Sequence, residues 1–100
     1  MLIASQGVTP LPFKEEADGS GRMPDDPHAF QDLSNGRLYV RNIAAALAML
    51  TPKDAAAIAG RAAKLDAEMA GLDQELKVKL GALASANRRI LTSHDAFHYF

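Results

Sequence analysis

The amino-acid sequence predicts an α/β chain dominated by helix, with short strands near its two ends. Three observations carry that expectation. Ile58, Ala62, Leu65, Met69, Leu72, Leu76 and Leu83 recur at spacings of three and four, or their sum, which is the period of one helix face. Thr51-Pro52-Lys53-Asp54 is a helix-start signal that divides the helical region in two. Arg89-Ile90-Leu91-Thr92-Ser93 has the β-branched, apolar centre of a strand.

Along the chain, Leu2 to Ser5 is a short apolar run ending at Gly7, compatible with a buried strand. From Thr9 to Pro27 four prolines, two glycines and five acidic residues predict an exposed loop, because proline removes donors and glycine adds backbone entropy. A first helix comes next. Asp32 or Ser34 can cap it, and Leu38, Ile43, Leu47 and Leu50 fall close to one face. At the break, Thr51 can accept from free backbone N–H groups, Pro52 suits the first helical position, and Asp54 favours the positive end of the dipole. The second helix is expected from Pro52 to about Ala84, roughly 50 Å at 1.5 Å per residue. That exceeds the roughly 26 Å diameter of a globule of this length, so the helix should pair with another chain or bridge two bodies. Ala84 to Asn87 reads as a loop before the second strand. Beyond it, after His94-Asp95, Ala96 to Phe100 starts an apolar segment that stops abruptly, as in a chain that has been cut.

Composition narrows the function. A hydrophobic fraction of 48% with 23% charged residues is that of an ordinary folded chain, not a disordered one. The formal net charge of −1 supplies no field to draw the chain onto nucleic acid or anionic lipid, and the doublet Arg88-Arg89 is too small to change that. With no cysteine, disulfides, thiolate metal sites and thiol catalysis are excluded, so any metal site must use His, Asp, Glu and water. The first residues lack the basic and apolar regions of a signal peptide, and no run approaches a membrane span. As written, the chain would stay in the cytoplasm.

The three histidines stand in informative places. His28 follows Asp26-Pro27, where proline makes a rigid pedestal; His94 closes a predicted strand; His98 lies four residues further on. Each alone reads as a surface or satisfied core residue. Asp95 reads either as an acceptor orienting His94 or as the N-cap of a segment starting at Ala96. His98 and Tyr99 read as packing or surface residues, and Met49 and Met69 as core fillers. Spacing also raises two rival functions. His94-Asp95-Ala96-Phe97-His98 has the two-histidine spacing of zinc metalloproteases, but with aspartate for glutamate and a strand-like run leading in. The leucine stripe of the second helix suits a helical interaction or coiled-coil module with no metal role, although Gly60, Ala62 and Gly71 favour close packing over a zipper.

Spacing alone does not join His28 to His94. The combination of Asp26-Pro27-His28-Ala29-Phe30, Asn42-Ile43-Ala44-Ala45-Ala46-Leu47 and Leu91-Thr92-Ser93-His94-Asp95-Ala96-Phe97-His98-Tyr99-Phe100 resembles the metal-specific solute-binding proteins of ABC importers, the zinc and manganese receptors. The likeness runs over nearly all of this chain, and the chain amounts to about a third of a typical member. It implies a fragment of a two-lobe receptor whose lobes are joined by one long helix. Residues 1–51 would be the carboxyl part of the amino lobe, 52–86 the inter-lobe helix and 87–100 the start of the carboxyl lobe. It further implies His28 and His94 as metal ligands, one from each lobe, and Zn²⁺ as the ion with Mn²⁺ the second candidate. Manganese-preferring relatives often carry glutamate in place of the second histidine. The implied setting is periplasmic, with an ABC permease as partner and no covalent chemistry. Two departures stand out: the family's histidine-rich loop is matched here by Glu15 to Asp26, which has acids and no histidine, and Phe30 stands where tryptophan is common.

Overall fold

The computed structural model describes residues 1–13, 19–20 and 23–100. Two helices dominate: α1, Leu33–Leu50, and α2, Ala55–Gly81. They are joined by Thr51 and a single 3-10 turn, Pro52–Asp54, and fold back on each other as an antiparallel hairpin. The expected loop from Thr9 to Pro27 includes residues 14–18 and 21–22, which lie outside the described residues.

Asp32 caps α1 as expected, its Oδ1 accepting from Ser34 N at 2.7 Å. The break at Thr51 also lies where the spacing puts it, although the hydroxyl works in the other direction. Thr51 Oγ1 donates to Leu47 O at 2.8 Å and closes the end of α1, while Pro52 opens the turn that leads into α2. α2 runs to Gly81, three residues short of Ala84. Past its end Arg88 reaches back, donating from its guanidinium to Leu83 O and Gly81 O at 2.9 and 2.7 Å. Those carbonyls have no intrahelical partner, so an arginine serves as the C-cap.

The hairpin is pinned at three levels. Gly36 admits the end of Met69: a Cβ on Gly36 would lie 2.6 Å from Met69 Cε, so the missing side chain sets how closely the helices approach. Beside it, Arg37 forms a two-pronged bridge to Asp66, Nε and one terminal nitrogen each at 3.0 Å, and Arg41 adds a third bond at 3.1 Å. Towards the Thr51 turn, Val40, Ile43, Ala44 and Leu47 face Ile58, Ala62 and Leu65. The leucine stripe of α2 therefore meets α1 of the same chain, which removes the reason for a separate coiled-coil partner on that face. The packing is shallow, since neither helix has a buried residue and Leu65 and Leu72 are both close to half exposed. Met69 is a filler, as expected, but Met49 is 82% exposed and is no core residue.

The short strands differ from expectation. Residues 4–7 form turns closed by Gln6 N to Ile3 O and Val8 N to Ser5 O, and Gly7 leaves them at φ +89, a backbone angle that favours glycine. Residues 88–92 take no regular secondary structure and have no ladder partner among the described residues, and no helix starts at Ala96. Among the described residues the α/β class is thus represented by its helices and one isolated antiparallel bridge, Pro12 to Asp25. A strand is stable only when a neighbour takes its N–H and C=O groups, and Leu91, fully exposed, has none here. The radius of gyration is 17.1 Å against about 13 Å for a compact chain of this length, so the body is open and elongated.

The isolated bridge brings the two histidine segments into one place. Phe13 N donates to Pro24 O at 2.8 Å and Asp26 N to Leu11 O at 2.7 Å, setting the Asp-Pro-His segment against Leu11 and Phe13. The carboxyl-terminal segment returns to the same spot: Leu11 N donates to Tyr99 Oη at 2.7 Å, and that hydroxyl also lies 3.4 Å from Thr9 O. Phe13, Ala29 and Ala96 are the buried apolar side chains among the described residues, so the small core lies where the two ends meet. Elsewhere on α1, Asn42 Nδ2 donates to Ala4 O and Gln6 O at 2.8 and 2.9 Å, holding the amino-terminal turns in place.

Candidate metal centre

The site starts from Asp26. Its side chain is fully enclosed, and Oδ1 accepts two bonds from the same residue: His28 N at 2.8 Å and His28 Nδ1 at 2.7 Å. The first bond is the local turn that an aspartate makes with the backbone two residues on, and Pro27 between them suits it. The second fixes the histidine ring. A carboxylate only accepts, so the proton sits on His28 Nδ1 and the lone pair is left on Nε2. Burial pushes the Asp26 carboxyl up, but the bonds from His28 and the charges of His28 and His98 outweigh it and hold the group below the usual carboxylate range. The base of the site is therefore an anion.

His28 Nε2 faces His94 Nε2 across 3.3 Å, with ring centroids 5.3 Å apart, although 66 residues separate the two in the chain. Phe13 packs edge-on against the His28 ring at 5.6 Å, and Phe30 lies tilted at 6.1 Å on the same ring. His94 is exposed, and its backbone carbonyl accepts from Thr92 Oγ1 at 2.8 Å. His98 Nδ1 lies 3.8 Å from Asp26 Oδ2, and its ring is 40% exposed.

Both sequence-predicted histidines are thus brought together, and Phe30 joins them. Asp95, expected as an acceptor for His94 or as an N-cap, is exposed with no helix after it, so the capping reading does not hold. The orienting carboxylate belongs instead to Asp26 and serves His28. Sequence reasoning gives Asp26 no role beyond the pedestal; its spacing of two from a histidine, with proline between, is the signal that could have found it. It also misses Tyr99 as a tie. His94 and His98 share no helix, so the metalloprotease spacing is not realised as one helix face.

Two nitrogens bound to one tetrahedral zinc at about 2.0–2.1 Å lie about 3.3–3.4 Å apart, which is the separation of these two. The same distance suits a proton shared between the rings, with His94 donating to the free lone pair of His28. A proton and a metal would compete for that position. Among the described residues no group of three or more metal-binding side chains is assembled, so the pair is a partial ligand set.

The site defines a class: a chain that offers two imidazoles from remote segments, one of them oriented by a buried carboxylate. Comparison with known proteins gives the family. The chain belongs to the family described as zinc-uptake complex component A, periplasmic, which it matches over residues 1–100. It is 40% identical over 75 residues to the high-affinity zinc uptake system protein ZnuA of Paracoccus denitrificans (strain Pd 1222), 75% of this chain and 22% of that protein. It is 35% identical over 99 residues to the iron ABC transporter substrate-binding lipoprotein MtsA of Streptococcus pyogenes, 99% of this chain and 31% of that protein. Against the manganese ABC transporter substrate-binding lipoprotein PsaA of Streptococcus pneumoniae the identity is 33%, with the same coverage. Among solved structures, a metal-free periplasmic metal-binding protein from Candidatus Liberibacter asiaticus, a serine-to-alanine variant, superimposes with a TM-score of 0.80 at 26% identity. That match covers 98% of this chain and 36% of the other. The chain spans about a third or less of the length of these relatives. They are named for metal uptake and substrate binding and not as enzymes. No helix among the described residues is long and apolar enough to cross a membrane.

Proposed function

We propose that this chain is part of the metal-capturing, substrate-binding component of an ABC importer, and that it supplies two of the metal ligands, His28 and His94. The single observation that carries the reading is the 3.3 Å separation of their Nε2 atoms, with His28 already held in the tautomer that presents a lone pair. Zn²⁺ is the preferred ion, because the two ligands placed here are imidazoles, which suit zinc better than the harder Mn²⁺, the second candidate. The relatives named for iron and manganese keep the choice within divalent transition metals.

Capture involves no covalent chemistry. The ion replaces the proton between the rings, Asp26 stays ionised and strengthens the basicity of His28, and water or further groups complete the coordination. In the whole protein, residues 1–51 would close the amino lobe, 52–86 would form the inter-lobe helix, and 87–100 would open the carboxyl lobe. This layout is supported by α2 being one continuous helix between the segments that carry His28 and His94. The setting is the periplasmic side of the cytoplasmic membrane, and the partner receiving the ion is the importer's permease. Calorimetric titration with zinc tests the reading on this chain. Binding in the micromolar range or tighter is expected, and it should vanish in the His28→Ala/His94→Ala double variant. Binding that survives the double variant would overturn it.

A further inference from the structure

We propose that His98 is a positioning residue of the metal pair: it takes the second oxygen of Asp26 and so holds the carboxylate that orients His28. The inference rests on the reading of His28 and His94 as ligands.

The starting point is an unbalanced carboxylate. Oδ1 of Asp26 is used twice by His28, whereas Oδ2 is buried and has no hydrogen-bond partner among the described residues. An ionised carboxylate offers about four lone-pair sites, and leaving one oxygen unserved away from water is costly. With no accessible surface, Oδ2 is not served by bulk solvent. The group that faces it is His98 Nδ1 at 3.8 Å, inside ion-pair range and about 0.8 Å beyond a normal N–H···O bond. The His98 ring is 40% exposed, which leaves it room to turn towards Oδ2.

The backbone keeps the two side chains in register. Leu11 accepts from Asp26 N and donates to Tyr99 Oη, so one residue ties Asp26 to the immediate neighbour of His98. Relaxing Asp26 would free His28 Nδ1 and let the proton move to Nε2, where it blocks the lone pair that the metal needs. His98 thus acts through Asp26 and His28 without touching the ion.

The test has a readout that does not depend on metal. Nitrogen-15 imidazole spectra of the metal-free chain at about pH 8, above the ordinary histidine pKa of roughly 6.5, report each tautomer. The wild type should show His28 protonated on Nδ1. His98→Ala should raise the Nε2-protonated fraction of His28 and weaken zinc binding about 3- to 10-fold, less than loss of a direct outer partner. His98→Asn, whose amide nitrogen falls near the place of Nδ1, should restore both. Cobalt(II) at saturation should give the same band positions in all three proteins, because His98 is not a ligand. An unchanged tautomer or unchanged zinc affinity in His98→Ala, no rescue by His98→Asn, or shifted cobalt bands would each overturn the proposal. If the wild type binds no zinc, the ligand reading fails by itself, and the tautomer comparison still judges the link from His98 through Asp26.

Discussion

Replacing His28 by Ala leaves His94 with an open face where an imidazole stood 3.3 Å away, and the size of the loss reflects the sharing of one ion. Complete four-ligand zinc sites are worth about 10–16 kcal/mol, or about 2.5–4 kcal/mol per ligand. At about 1.4 kcal/mol per factor of ten, one lost imidazole should weaken zinc binding roughly 60- to 700-fold. His94→Ala should cost a similar factor. The double variant loses both imidazoles, so its binding should fall below that of either single variant and out of measurable range. Two independent sites would behave otherwise: each single variant would keep one ion bound at its original affinity, and only the stoichiometry would fall. The assay is calorimetry on the four proteins at about pH 7.5, in a buffer that binds zinc weakly. A single variant that binds zinc within about threefold of wild type, with or without a lower stoichiometry, would refute the shared-ion argument.

The remaining predictions concern what holds the pair in place. Gly36→Leu forces a branched side chain into the space of Met69 and should cost about 1–3 kcal/mol, seen as a lower thermal midpoint. Gly36→Ala should be close to neutral, because the flexible end of Met69 can shift and the gain in helix propensity is about 1 kcal/mol; equal losses for both would contradict the close approach. The bonds from Arg37 hold the Asp66 carboxyl below the usual carboxylate range despite partial burial, with Arg41 adding to the effect. A depressed folded-state pKa means this stabilisation is present above the unfolded value of about 3.9 and is lost as pH falls through the folded value. The gap in thermal midpoint between wild type and Asp66→Asn should therefore be open at about pH 6 and narrow as pH falls below about 3.9, and a gap that ignores pH would contradict it. Tyr99→Phe removes the partner of Leu11 N, so it should lower stability by about 1 kcal/mol and loosen zinc binding, whereas an unchanged zinc titration would show that the tie does not align His94.

Local order is largely legible in the residues. The cap at Asp32, the break at Thr51 and the long helix after Pro52 all depend on chemistry within one or two turns, and each lies where its spacing puts it. The two histidine segments are legible too, through a motif resemblance and not through periodicity. Strands are less so. Residues 2–5 and 89–93 have strand composition, but a strand exists only by pairing, and pairing depends on which backbone lies alongside. Only the tertiary structure brings His28 and His94 within 3.3 Å, through ties from Leu11 to Asp26 and Tyr99 that no local pattern announces. It also moves the orienting role from Asp95 to Asp26 and turns the leucine stripe of α2 onto α1. The division has a physical cause: capping and helical spacing act over a few residues, whereas a histidine pair, a buried carboxylate and a packed helix face are properties of distance in space.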